Sequence, residues 1–96
     1  MIDHELRGHL VEMLEACRER GMQLPFVVCA ASRNGSVLCI RCSDGAEPDV
    51  LAEHFEPAGF TLPITCMVLD QAGGAVHITM EAERMVFHSY KIEANR

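Results

Sequence analysis

The sequence predicts an α+β fold: a two-layer sandwich in the order α-β-β-α-β-β, with two helices on an antiparallel sheet and one optional terminal element. Three observations predict it. Apolar residues recur at helical spacing near the N-terminus, Asn34-Gly35 separates two β-rich runs, and a clean apolar/polar alternation closes the second half. Half of the 96 residues are hydrophobic (49%) and 23% are charged, which is a single globular domain's composition and length.

The first element spans residues 3 to 20. Leu6, Leu10, Met13, Leu14 and Cys17 form one stripe, while Glu5, Arg7, Glu12, Glu15, Arg18 and Glu19 lie off it. Asp3 suits the N-cap, Glu5 the first turn, and Gly21 the left-handed position past the end.

Residues 24 to 32 and 36 to 43 read as a hairpin. A two-residue type I′ turn at Asn34-Gly35 sets Arg33 opposite Ser36. Ala31, Cys29 and Val27 then face Leu38, Ile40 and Cys42. Val28 meets Arg41 and Ala30 meets Cys39 on the other side, near Phe26 and Val37.

A second helix is expected over 47 to 56, with Pro48 at its first position and Leu51, Phe55 and Ala58 as its stripe. Residues 61 to 70 form a strand with Leu62, Ile64, Cys66 and Val68 on one side. Gln71-Ala72-Gly73-Gly74 turns into a strand over 75 to 81, where Val76, Ile78 and Met80 oppose His77, Thr79 and Glu81. Residues 82 to 90 carry both strand and helix signals, with the strand favoured, and a frayed tail is expected from Lys91. Each α-β-β unit fills about half the chain, a hint of duplication without residue-level similarity between those halves.

A formal charge of −6 with scattered Arg and Lys argues against nucleic acid and anionic membranes as partners. The start is polar and acidic, unlike a signal peptide, and no apolar run is long enough for a membrane span. Five cysteines in apolar stretches fit reduced thiols, so a cytoplasmic location is expected.

The motifs are sparse, and they predict no catalytic residue, metal or cofactor. Cys39-Ile40-Arg41-Cys42 lies within a strand, where residues three apart are roughly 10 Å apart on opposite faces; a disulfide needs Cα atoms within about 7 Å. A zinc site would need two further ligands. His77, Thr79 and Glu81 make a polar stripe, but His77 and Glu81 are about 13 Å apart along the strand.

The predicted sheet is apolar on both faces. Phe26, Val28 and Val37, with Met67, would form an exposed patch beside Cys39 and Arg41, and such patches mark interfaces. The expected function is therefore a non-enzymatic interaction module that self-associates as a homodimer or binds a protein partner. On this register Val28→Glu abolishes assembly and spares the fold. The alternative is a small-ligand-binding protein or enzyme whose pocket between sheet and helix uses Cys39, Arg41 and His77. A third reading is a zinc or thiol-redox protein.

Overall fold

The computed structural model describes residues 4–89; the Asp3 cap and the tail expected from Lys91 lie outside the described residues. Among them are one helix, α1 (His4–Glu19), and six strands: β1 (Phe26–Ser32), β2 (Val37–Cys42), β3 (Asp49–His54), β4 (Ile64–Leu69), β5 (Ala75–Met80) and β6 (Met85–Ser89). The strands form one antiparallel sheet in the order β3-β2-β1-β4-β5-β6. The predicted two-helix α-β-β-α-β-β sandwich is therefore wrong. The fold is mostly β, with one helix on a six-stranded sheet.

The helix ends as its sequence dictates. Gly21 has φ 88°, the Met22 amide donates to the Cys17 carbonyl at 3.2 Å, and the Gly21 amide donates to Arg18 at 3.0 Å. Those two bonds are a Schellman cap. Leu6, Leu10, Met13 and Cys17 are buried against the inner face of the sheet.

The segment expected as a second helix is β3. Its prediction rested on three apolar residues at helical spacing, but all six strand residues are exposed, with Val50 at 48% and Leu51 at 47%. An amphipathic helix is held by burying a stripe, and this segment buries none. It instead pairs with the backbone edge of β2, with a bulge at Leu51 where the register shifts between Cys39 and Ile40. The inner flanks that a second helix was to cover are filled by Phe55, Phe60, Leu62, Met85 and Phe87. Phe55 and Phe60 meet edge-to-face at 5.3 Å, and the Arg20 guanidinium lies 3.9 Å from the centre of the Phe87 ring.

The first hairpin is also corrected. Cys29 pairs with Cys39, Val28 with Ile40, Ala30 with Leu38 and Phe26 with Cys42, one residue away from the expected register. The loop is Arg33-Asn34-Gly35: the Ser32 amide donates to the Ser36 carbonyl at 2.9 Å, and only Gly35, at φ 99°, is left-handed. A type I′ turn needs positive φ at Asn34 too. The Asn34 side chain is otherwise engaged: Oδ1 accepts from the Ser36 amide and the Ser32 hydroxyl, and Nδ2 donates to the Gly59 carbonyl at 2.7 Å. A one-residue slip exchanges the two faces of a strand relative to its partner. In the observed register Phe26, Val28, Ala30, Leu38, Ile40 and Cys42 all face the helix and are buried. Phe26 and Val28 are thus core residues at 0% exposure, and the expected outer patch loses both.

The chain does contain a repeat, in a different phase from the expected α-β-β halves. Gly21, Leu24, Pro25 and Gly35 recur as Gly59, Leu62, Pro63 and Gly73, each 38 residues on. All four glycines have positive φ, and both Leu–Pro bonds are cis. The repeating unit is a three-stranded meander, β1-β2-β3 and then β4-β5-β6. Cys29 and Met67, equivalent under the 38-residue spacing, are paired across β1 and β4. A pseudo-two-fold axis therefore crosses the sheet between them.

Each hairpin turn is tied to the segment leading into the other half. Ser36 Oγ donates to the Gly59 carbonyl at 2.8 Å and accepts from the Glu56 amide at 3.0 Å. In the other half Asp70 accepts from the Gly74 amide at 2.7 Å and the Gln23 amide at 3.0 Å. Ser36 is fully buried, so Ser36→Ala leaves the Glu56 amide without that acceptor. It is expected to cost about 1–3 kcal/mol, read as a lower urea midpoint at unchanged slope.

Candidate functional site

The outer face of the sheet is the candidate site. No described element covers it, and it departs from the polar outer surface usual for a one-sided antiparallel sheet. Register places the side chains in three rows. The central row runs Ala52, Cys39, Cys29, Met67, His77 and His88 from β3 to β6. On one side lie His54, Val37, Ala31, Thr65, Thr79 and Val86; on the other lie Asp49, Arg41, Val27, Leu69 and Ala75. Val37 is 40% exposed and Leu69 39%.

The predicted site residues separate into three groups. Val37, Cys39 and Arg41 stand on the outer face of β2, with Arg41 opposite Asp49. His77 and Thr79 stand on the outer face of β5, where the His77 and His88 rings lie 5.1 Å apart. Glu81 lies past the end of β5 and pairs with Arg84 at 3.4 Å. Phe26 and Val28 belong to the core. β1 and β4 intervene between β2 and β5, so Cys39 and His77 are three strand spacings apart, about 14 Å.

That separation bears on the alternative pocket. One cleft between helix and sheet runs along α1 and the β2–β3 connection, lined by Arg7, Leu14, Arg18, Phe26, Cys42 and Pro48 among others. Cys39, Arg41 and His77 are not in it. Among the described residues, no group of three or more His, Cys, Asp or Glu side chains is placed to hold a metal ion.

Cys39 and Cys42 fall on opposite faces, Cys39 partly exposed and Cys42 buried. Cys39 instead meets Cys29: their sulfurs are 2.8 Å apart, within thiol–thiol hydrogen-bond reach. Burial, and then the hydrogen bond with Cys39, pushes the Cys29 thiol up to about 11. Sequence reasoning missed Cys29 because the two-residue turn set it opposite Ile40. The available signal was the serine on each side of Arg33-Asn34-Gly35, which suits a three-residue loop closed by glycine.

Comparison with protein families, with curated proteins and with solved structures finds no match to this chain. None of the helices among the described residues is long and apolar enough to cross a membrane.

Proposed function

We propose that this chain is a non-enzymatic, self-associating module of the cytoplasm whose outer sheet face packs on the same face of a second copy. The observation that carries the reading is the uncovered apolar face, with Val37 and Leu69 exposed and Val27, Cys29, Ala31, Cys39 and Met67 between them.

The size of the face and its near absence of acidic side chains both suit a second copy as the occupant. Six strands about 4.8 Å apart and about six residues long project roughly 500 Å², and accessible area exceeds projection. A stable dimer needs about 600–1,000 Å² from each partner. The chain carries a net charge of −6, so copies repel overall. Within the strands, however, the outer face carries one acidic residue, Asp49, opposite Arg41. Two such faces would stack about 10 Å apart as an aligned sandwich.

Sedimentation equilibrium at micromolar concentration is expected to show a dimer. Val37→Lys with Leu69→Lys is expected to weaken association at least ~100-fold, because each charge must be desolvated, while the thermal midpoint of the monomer stays put. A wild-type chain that remains monomeric, or a double variant that still dimerises, would sink the reading.

A further inference from the structure

We propose that Cys29 and Cys39 form a dithiol site for low-molecular-weight disulfides, which oxidise it to an intrachain cross-strand disulfide. The inference stands on the register of β1 and β2 and does not require self-association. Hydrogen-bonded and non-hydrogen-bonded pairs alternate along an antiparallel ladder. The Ser32–Ser36 bond at the turn puts hydrogen bonds on the pairs of even-numbered residues, so Cys29–Cys39 is a non-hydrogen-bonded pair. Such pairs have Cα atoms about 4.5 Å apart and side chains leaning together, inside the ~4.4–6.8 Å that a disulfide spans. Their sulfurs already touch at 2.8 Å.

Accessibility and selectivity follow from the two faces. Cys29 is exposed and Cys39 partly so, whereas Cys17, Cys42 and Cys66 are buried on the helix side. Cys42 is three residues along the same strand from Cys39 and points the other way, so the C-x-x-C cannot close without breaking β2.

The exchange balances without a cofactor. The thiolate of one cysteine of the pair attacks one sulfur of the small disulfide, whose S–S bond breaks. The leaving thiolate takes up the proton that cysteine gave to solvent. The thiolate of the other cysteine then attacks the protein sulfur of the mixed disulfide, expelling the second small thiolate, which takes up the proton lost by that second cysteine. Two cysteines are oxidised and one small disulfide is reduced to two thiols.

The test uses reduced full-length chain and oxidised glutathione, at a dilution where sedimentation finds monomer, followed by acid quenching, denatured thiol counting and peptide mapping. The count is expected to fall from five thiols to three, with the new bond joining Cys29 and Cys39. Cys29→Ser and Cys39→Ser, both on the open face, are expected to fold and to stop at a glutathione adduct. Cys42→Ser is expected to leave the bond unchanged. In urea the Cys29–Cys39 yield is expected to drop at least tenfold, as Cys39–Cys42 and other pairings take over. Five thiols surviving in the native chain under conditions that oxidise the unfolded one would overturn the proposal. So would a native bond between other cysteines, or an equal Cys29–Cys39 yield in urea.

Discussion

Val28→Glu is expected to leave the chain unfolded, with loss of near-ultraviolet circular dichroism and of dispersed amide signals. Val28 is at 0% exposure on the helix side of β1, among Met13, Ile40 and Val68 in the core. A carboxylate there has no partner, and burying it costs more than the ~4–5 kcal/mol that marks the severe end of single substitutions. The same charge one residue earlier, Val27→Glu, sits on the outer face and is expected to give a folded monomer. The pair tests the register directly. A type I′ turn at Asn34-Gly35 predicts that Val28→Glu spares the fold, whereas the three-residue loop predicts its collapse. A folded Val28→Glu chain would refute the pairing of Val28 with Ile40.

The second large effect is loss of stability in alkali. Burial pushes the Cys66 thiol up to about 12 and the Cys17 thiol up to about 11, from an ordinary 9.0. Below pH 9 both thiols are protonated in the folded and unfolded chain alike, and the buried neutral sulfur is retained at no cost. Above it the unfolded chain releases protons that the folded chain still holds, so stability falls as pH rises. Cys66 alone removes about 1.4 kcal/mol per pH unit until its folded value is reached. That amounts to roughly 4 kcal/mol by pH 12, and Cys17 adds to it in the same direction. Against a total of about 5–15 kcal/mol for a small domain, the chain is expected to unfold in strong alkali. Urea midpoints measured from pH 7 to pH 11 check this. Cys66→Ala should start less stable, through its cavity, yet show a shallower alkaline decline. An equal decline in both chains would show that the buried thiols are not its cause.

Several elements were legible because their signals are local and agree with their burial. The helix has a five-residue stripe and a glycine in the left-handed cap position, and both are satisfied within one segment. The alternation of Ile64, Cys66 and Val68, and of Val76, Ile78 and Met80, matches the inner face of β4 and β5. The segment 47 to 56 misled because Leu51, Phe55 and Ala58 satisfy helical spacing by accident, while the backbone edge of β2 offers pairing that spacing does not register. The repeat was present as Gly-x-x-Leu-Pro, but matching halves by their supposed helices put it out of phase.

The outer face was legible only in kind. That apolar groups lie on both faces of the strands is visible in the residues. Which ones face out turned on a single residue in the hairpin loop, and with it the places of Phe26, Val28 and Cys29. Taken alone, the sequence determined the helix, its buried stripe, the strand propensity of each hairpin and the acidic charge. The tertiary structure alone decided that 49 to 54 would be an edge strand, and that two meanders would meet about an axis between Cys29 and Met67. It also decided that Cys29 would lie against Cys39. The reason is physical: helical and strand periods are written in neighbouring residues, whereas register and strand order depend on hydrogen bonds such as Asn34 to Gly59 and Glu56 to Ser36, between residues far apart in the chain.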